Sequence, residues 1–209
     1  MALLMQHKGE SYQWGVWRMD ESYDDLCHAL RETSLPQEAE QRFSSRHRRE
    51  EWLSVRLLLK QLLGEQKQIA YHPSGKPYLS DNSFQISISH TKGYVAVIFG
   101  KTEVGIDIEQ YGERVHKVAH KYVREDESLS LYQGTDTWDL LLRWSAKEVM
   151  FKCLDCSEVD FRQHLFIPPF TLSSEGEFPA QEFRTEKKQT FRIHYLLHPD
   201  FVLTWQAAE

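Results

Sequence analysis

The 209-residue sequence lacks any long run of apolar residues. A membrane-spanning helix needs about 20 consecutive apolar residues, and no stretch of the chain approaches that length. The opening "MALLMQHKGE" has too short an apolar run for the core of a secretory signal peptide. We therefore expect a cytoplasmic protein that is not associated with a membrane.

Cysteine is also scarce. The three cysteines, Cys27, Cys153 and Cys156, are an odd number and do not suggest a disulfide framework, which agrees with a reducing compartment. Cys153 and Cys156 form a CxxC pair, but no second pair accompanies it. We therefore favour two helix thiols over a redox or zinc site.

Positive charge is not in excess either, because the net charge is −6 at pH 7. This value argues against a general nucleic-acid-binding protein. Residues 1–103 carry 13 basic and 13 acidic side chains, whereas residues 104–209 carry 12 basic and 18 acidic ones. The acidic excess therefore belongs to the second half of the chain.

Hydrophobic periodicity predicts a helix followed by short strands in the first half. The apolar positions of "RREEWLSVRLLLKQLL", Arg48–Leu63, recur at helical spacing, and Gly64 follows where a C-terminal cap belongs. Further helical stretches are predicted at Tyr23–Glu32 and Gln37–Phe43, and strands at Tyr12–Arg18, Ile69–His72, Pro77–Leu79, Phe84–Ser89 and Tyr94–Phe99.

The second half repeats this order, with a predicted strand at Val104–Glu109 and a long predicted helix at Thr137–Leu154. Other helical stretches are predicted at Val115–Val123 and Glu125–Tyr132, and strands at Phe166–Ser173, Glu182–Thr185, Phe191–Leu197 and Phe201–Trp205. We therefore predict an α+β chain of two similar halves, residues 1–102 and 103–209, each with a helix packed on a mainly antiparallel sheet.

Two acids interrupt the apolar strand "VGIDIEQ", Val104–Gln110. Side chains alternate along a strand, so Asp107 and Glu109 lie on one face while Ile106 and Ile108 lie on the other. On these residues alone, a solvated strand face over an apolar core is the simpler interpretation. A paired-carboxylate site is the functional alternative.

The long predicted helix contains "RWSAKEVMFK", Arg143–Lys152. Glu148 and Lys152 are four residues apart and therefore share one helix face, which by itself is typical of an ordinary helical ion pair.

Together, "VGIDIE" and "WSAKEVMFK" resemble the two signature segments of the 4′-phosphopantetheinyl transferase superfamily, G-[IV]-D and [FW]-[SCT]-x-K-E-[AS]-x-x-K. Val149 stands where the family usually has a small residue. "GKPYL" at Gly75–Leu79 resembles the family's GKP element, and "FQISISHT" at Phe84–Thr91 resembles its F-N-[IVL]-S-H-[ST] element with one extra residue. The chain length and the two-half organisation resemble those of the monomeric, surfactin-synthetase-activating (Sfp-like) branch of the family.

The resemblance implies a fold and an activity. The fold would be that of the superfamily, with the two halves in a pseudo-twofold arrangement. The activity would be of the holo-[acyl-carrier-protein] synthase type, which moves 4′-phosphopantetheine from coenzyme A (CoA) to a serine of an apo acyl, peptidyl or aryl carrier protein and releases 3′,5′-ADP.

The resemblance also implies a metal site formed by Asp107, Glu109 and Glu148. Three carboxylates about 5 Å apart would repel by roughly 3 kcal/mol per pair at an effective dielectric constant near 20, so a cation is needed among them. Oxygen ligands favour Mg²⁺, which would polarise the β-phosphate of CoA. Lys152 would contact the same diphosphate. Glu148 resembles the family's proposed general base, and a metal-bound water is the alternative.

CoA phosphates would contact residues of the first half. By resemblance these are Lys76 in the GKP turn and Ser89, His90 and Thr91 in "SISHT", and His90 is also expected to take part in catalysis. Arg46, Arg48, Arg49 and Arg56 offer further positive charge for the 3′-phosphate, and Arg49 is our choice although no motif supports it.

One basic segment suits an acidic partner. "RVHKVAHKYVR", Arg114–Arg124, contains four arginines and lysines and no acid, so an acidic carrier protein is expected to dock there. Two alternatives stay open: a catalytically silent module that binds CoA or a carrier protein, and a metal-dependent phosphohydrolase.

Overall fold

The computed structural model describes residues 3–31, 33–154 and 156–207. The chain forms two compact units, an N-terminal unit that ends at Thr102 and a C-terminal unit that begins at Glu103. Helices and antiparallel sheets are present in both units, so the protein has an α+β fold. Across the described ranges, every helix is too short or too polar to cross a membrane.

Six strands and three helices are found among the described residues of the N-terminal unit. The strands are β1 (Leu3–Lys8), β2 (Tyr12–Arg18), β3 (Ile69–Tyr71), β4 (Pro77–Leu79), β5 (Gln85–Thr91) and β6 (Tyr94–Gly100). The helices are α1 (Tyr23–Ala29), α2 (Leu35–Arg42) and α3 (Arg46–Leu63). Four strands form an antiparallel sheet in the order β1-β2-β6-β5, and β3 and β4 form a separate hairpin.

The long helix α3 forms the core of this unit against β2 and β6. Its apolar stripe includes Leu53 and Leu58, which are fully buried, and the helix ends at Gly64 in the left-handed conformation (φ 77°). The helix lies close to β2, because a Cβ placed on Gly15 would be 3.0 to 3.1 Å from methyl groups of Leu58 and Leu62. The predicted helix and its glycine cap are therefore confirmed.

In the part of the C-terminal unit that the structure describes there are five strands and three helices. The strands are β7 (Val104–Gln110), β8 (Leu165–Phe166), β9 (Glu175–Glu182), β10 (Thr190–His198) and β11 (Phe201–Ala207). The helices are α4 (Arg114–Val118), α5 (Thr137–Cys153) and α6 (Phe161–His164), and a 3₁₀ turn, Ala119–Lys121, follows α4. The strands form one antiparallel sheet in the order β7-β11-β10-β9-β8.

Helix α5 packs directly on β7 and β11. The contact is close at Gly105, where an added Cβ would lie 2.7 Å from the Cys153 sulfur and 3.1 Å from the Val149 carbonyl oxygen. Val149 itself is fully buried, so the side chain that departs from the family pattern packs over the glycine. Gly105 therefore allows the helix that carries Glu148 to approach the strand that carries Asp107.

Three predictions for the C-terminal unit are wrong: the helix Glu125–Tyr132 and the strands Phe166–Ser173 and Glu182–Thr185. Glu125–Tyr132 is not helical, because Glu127 is buried and its carboxylate accepts bonds from Lys147 and from the Ile167 amide, which hold the segment in an irregular path. Only Phe166 of the predicted strand Phe166–Ser173 pairs with a neighbour.

Other differences concern the ends of elements. Strands β1 and β9 were not predicted, and β9 ends where the strand Glu182–Thr185 was expected to begin. The helical stretch Tyr23–Glu32 is observed as α1, which ends at Ala29, while Glu32 lies outside the described residues. The pseudo-twofold relation of the halves stays a prediction.

Candidate active site

Strand β7 and helix α5 bring Asp107 into contact with Lys152. Asp107 is only 4% exposed, and its Oδ1 accepts a bond from Lys152 Nζ at 2.7 Å. Its Oδ2 accepts a bond from Ser145 Oγ at 2.8 Å. Lys152 Nζ also donates to the Ile106 carbonyl at 2.9 Å. The first acid of "GIDIE" and the last lysine of "WSAKEVMFK" are therefore paired.

Glu109 lies on the same face of β7 and is held by a tryptophan. Trp144 Nε1 donates to Glu109 Oε1 at 2.7 Å. Burial raises the pKa of Glu109 to about 7, and the charges of Asp107 and Glu148 add to this effect, whereas the Trp144 hydrogen bond and Lys152 oppose it. The carboxylate of Glu109 therefore has too little positive charge nearby to offset its burial and the charges of Asp107 and Glu148.

Glu148, which lies on α5, is affected by burial and by the same neighbouring charges. Its pKa is raised first by burial and then by the charge of Asp107, while Lys152 lowers it. The three predicted carboxylates thus lie within electrostatic reach of one another, and a single lysine does not neutralise them. The structure brings together Asp107, Glu109, Glu148 and Lys152.

The donor chemistry of this group fits Mg²⁺, since hard divalent cations take carboxylate oxygens. The arrangement is not a ready-made metal site, however. Within residues 3–31, 33–154 and 156–207, no three or more His, Cys, Asp or Glu side chains are placed to hold a metal ion together. Both oxygens of Asp107 are instead engaged by Lys152 and Ser145. Metal binding by the three carboxylates stays a prediction.

The N-terminal unit contains a cationic cavity of about 250 Å³ beside α3. Its charged lining consists of Arg42, Arg48, Arg56, Glu51 and His90, and its aromatic lining consists of Phe43, Trp52 and Tyr71. Three arginines face one glutamate, so the cavity carries an excess of positive charge that suits an anionic ligand. We call this feature the arginine cavity.

Two side chains of α3 form the buried wall of the arginine cavity. The Arg56 guanidinium lies 3.2 Å from the centroid of the Trp52 ring, and its Nη1 donates to the Trp52 carbonyl at 3.0 Å. Burial lowers the pKa of Arg56 to about 10. Trp52 Nε1 is buried and has no hydrogen-bond acceptor among the described residues. An unpartnered indole N–H beside a desolvated guanidinium indicates room for an acceptor group.

Of the residues considered for the CoA phosphates, His90 lines the arginine cavity together with Arg48 and Arg56 of the α3 arginine cluster. Its ring nitrogens lie 3.4 Å from Arg48 Nη1 and 3.4 Å from Glu51 Oε1. Arg49, our sequence-based choice for the 3′-phosphate, instead donates from Nε to the Phe43 carbonyl at 2.7 Å. Lys76, Ser89 and Thr91 lie on the β3–β4 turn and on β5, outside the cavity lining.

The basic segment Arg114–Arg124 folds as α4 and the following 3₁₀ turn. Arg114, Lys117 and Lys121 are exposed, whereas Arg124 is bound by Asp126 and by the Gln163 carbonyl. These three exposed cations form a positive surface on the C-terminal unit.

The basic segment is tied to α5 by a buried lysine. Lys147 Nζ donates to the Tyr122 carbonyl at 2.6 Å and lies 2.9 Å from a Glu127 oxygen. Burial lowers the pKa of Lys147 to about 8 despite the charge of Glu127. The first lysine of "WSAKEVMFK" is therefore structural.

Sequence reasoning did not find the roles of Arg42, Trp52, Tyr71 and Trp144. Trp52 is one of the apolar residues at helical spacing in α3, and the sequence feature that could have indicated its role is Arg56, one helical turn later. Trp144 belongs to the signature segment itself, but its hydrogen bond to Glu109 depends on how α5 meets β7.

Residues 103–205 match the family model of the 4′-phosphopantetheinyl transferase superfamily (ACPS). The match covers β7 and α5, and hence every member of the carboxylate group, and it indicates a transferase that moves phosphopantetheine. Proteins of this superfamily act on CoA and carrier proteins. The arginine cavity lies in the N-terminal unit, outside the matched residues. No curated protein sequence matched the chain.

Proposed function

We propose that the whole chain is a Mg²⁺-dependent phosphopantetheinyl transferase of the holo-[acyl-carrier-protein] synthase type and belongs to the monomeric, surfactin-synthetase-activating branch. It transfers 4′-phosphopantetheine from CoA to a serine of an apo acyl, peptidyl or aryl carrier protein and releases 3′,5′-ADP. The observation that carries the proposal is the group of three mutually repelling carboxylates beside Lys152, within the residues that match the family.

Asp107, Glu109 and Glu148 hold the metal ion in this proposal. Their excess negative charge supports this role, because a divalent cation would relieve both the repulsion and the burial cost that raise the pKa values of Glu109 and Glu148. When bound, Mg²⁺ supplies polarisation of the β-phosphate and charge neutralisation of the leaving diphosphate. Lys152, which contacts Asp107, adds a positive charge on an oxygen of the same diphosphate.

The arginine cavity receives the nucleotide end of CoA. Arg48 and Arg56 are better placed than Arg49 to contact the 3′-phosphate, because both line the cavity and Arg49 does not. Trp52 Nε1 offers a neutral donor to an oxygen or nitrogen of the same nucleotide. Lys76, Ser89, His90 and Thr91 keep their proposed contacts with CoA phosphates, and the residues of the cavity join them.

The carrier protein docks on the basic segment. Arg114, Lys117 and Lys121 are exposed there, and opposite charge on a carrier protein would increase the rate of encounter at low salt. Lys147 and Tyr122 fix the segment to α5, the helix that also carries Glu148, so docking and chemistry share one rigid element.

The test is to incubate the protein with Mg²⁺, CoA and a panel of apo carrier proteins and to weigh the carriers by mass spectrometry. We expect a mass gain of one phosphopantetheine that disappears when the metal is chelated. Cleavage of CoA without labelling of any carrier would favour a phosphohydrolase instead. CoA binding without cleavage or labelling would favour a silent binding module, and either result would contradict the proposal.

A further inference from the structure

Trp144 joins two parts of the C-terminal unit. Its indole Nε1 donates to Glu109 Oε1 at 2.7 Å. Its ring meets the Tyr122 ring edge-on, with centroids 5.3 Å apart, and packs on Phe161 with centroids 5.6 Å apart. One side chain on α5 therefore contacts both a predicted metal ligand and the end of the basic segment.

Contacts with a fixed tyrosine, Tyr122, hold the Trp144 indole in its orientation. Tyr122 is fully buried, its hydroxyl donates to the Leu140 carbonyl at 3.1 Å, and its own carbonyl accepts the 2.6 Å bond from Lys147. Tyr122 is thus held at its hydroxyl and at its backbone carbonyl, so the indole that packs against its ring has little freedom to turn away from Glu109.

Glu109 has few other groups to hold it. It lies near the end of β7, it is only partly buried, and the neighbouring carboxylates repel it. The indole N–H engages Oε1 and leaves the lone pairs of Oε2 for another ligand. Carboxylates that bind metals are commonly held by such hydrogen bonds, and loss of the partner typically lowers metal affinity about 10- to 100-fold.

We propose that Trp144 is a positioning residue that orients Glu109 for a divalent cation by donating its indole N–H. The inference depends on the proposed function, because it assumes that Glu109 binds the metal. The family pattern accepts phenylalanine or tryptophan at this position, and phenylalanine has no N–H. The hydrogen bond is therefore a feature of this chain that the pattern alone does not require.

Two substitutions separate the N–H from the ring. Trp144→Phe keeps an aromatic ring against Tyr122 and Phe161 but removes the donor. Trp144→His keeps a ring N–H, since Nε2 of histidine occupies the ring position of the indole Nε1, but removes the larger apolar surface. Trp138→Phe is the matched control, because Trp138 is buried on the same helix and packs on Tyr111, with centroids 4.2 Å apart.

The experiment is isothermal titration of each full-length variant with MgCl₂ alone at pH 8, together with thermal unfolding. We expect Trp144→Phe to lose about tenfold or more in Mg²⁺ affinity with a small change in unfolding temperature. Trp144→His should bind Mg²⁺ within a few-fold of the parent despite a larger loss of stability, and Trp138→Phe should bind normally.

Mg²⁺ affinity that follows stability instead, with Trp144→His weakened and Trp144→Phe normal, would overturn the inference and assign Trp144 a packing role. If Trp144→His does not fold, normal Mg²⁺ binding by Trp144→Phe is enough to overturn it. A parent protein that binds no Mg²⁺ would remove the proposed metal site, and the inference with it. The parent titration therefore distinguishes failure of the proposed function from failure of this inference.

Discussion

The carboxylate group on β7 and α5 and the arginine cavity beside α3 are charge clusters of opposite sign. In the first, Asp107, Glu109 and Glu148 face one lysine, and burial and repulsion raise the pKa values of the two glutamates. In the second, three arginines face one glutamate, and burial lowers the pKa of Arg56. Each cluster is out of balance within its own unit, which is costly unless a ligand supplies the missing charge.

The two units build charge clusters of opposite sign in a similar way. In each unit a long helix carries charged side chains to a partly buried position, and an aromatic residue of that helix contacts one charged member of the cluster. Trp52 contacts Arg56 on the same helix, α3, and Trp144 of α5 contacts Glu109 of β7. In the proposed function, the negative cluster binds a divalent cation and the positive cluster binds a phosphate.

The largest expected effect is at Glu148. Glu148→Gln removes one charge from the carboxylate group, and we expect a loss of about 4 kcal/mol of transition-state stabilisation, or about 10³-fold in carrier labelling. The assay is the rate of holo-carrier formation by mass spectrometry. Glu177→Gln on the exposed face of β9 is the control and should keep the normal rate. A near-normal rate for Glu148→Gln would contradict the proposed role of the carboxylate group in transfer.

A substitution in the arginine cavity should lower the affinity for CoA without unfolding the protein. Arg56→Met removes a desolvated charge, so we expect CoA binding to weaken about 10- to 100-fold. Unfolding temperature should change little, because removal of the desolvated charge offsets the loss of its contacts with Trp52. Arg46→Met, on the same helix but exposed and paired with Glu50, should bind CoA normally. Equal CoA affinity for Arg56→Met and the parent in calorimetry would exclude the cavity as the nucleotide site.

The packing of the two long helices provides a third contrast. Gly105→Ala would place a methyl group against the Cys153 sulfur and the Val149 backbone, neither of which can move easily, so we expect a loss of about 2 kcal/mol in the free energy of unfolding. Gly15→Ala meets only leucine methyl groups and should lose less than about 1 kcal/mol. Urea unfolding measures both, and the reverse order would contradict this account of the α5 contact.

Glu182 is a carboxylate whose hydrogen bonds outweigh the cost of its burial. Burial alone would raise its pKa, but hydrogen bonds from the Thr185 hydroxyl and from the amides of Thr185, Gln189 and Arg184 outweigh burial and lower the pKa below 4.5. Its stabilising effect is therefore present above pH 4.5 and is lost as the pH falls through the lower, folded value.

The smallest predicted effect follows from this balance. Glu182→Gln should lower the free energy of unfolding by about 1 kcal/mol at pH 7, and the difference from the parent should shrink below pH 4. Urea unfolding at both pH values measures it. A difference that grows as the pH falls would contradict the assignment.

The parts of the site that lie on regular elements could be predicted from the sequence. Strand alternation placed Asp107 and Glu109 on one face, and helical spacing placed Glu148 and Lys152 on one face, because both follow from backbone geometry alone. Their proximity depends on the close packing of α5 on β7 at Gly105, which is a tertiary contact.

The remaining features depend on tertiary contacts. Glu125–Tyr132 has helix-forming residues, but the buried pairing of Glu127 with Lys147 overrides that local preference. The Trp52 side chain has the spacing of a core residue, and only its neighbours show that its N–H lacks an acceptor among the described residues. Local pattern contains no information about such partners.

The most direct test of the central claim is a crystal structure of the protein grown with CoA and with Mn²⁺ in place of Mg²⁺, using anomalous scattering to locate the metal. The account predicts a single strong anomalous peak in the C-terminal unit, with oxygens of Asp107, Glu109 and Glu148 as its protein ligands. A peak elsewhere, or a metal at this position that any of the three carboxylates does not ligate, would contradict it.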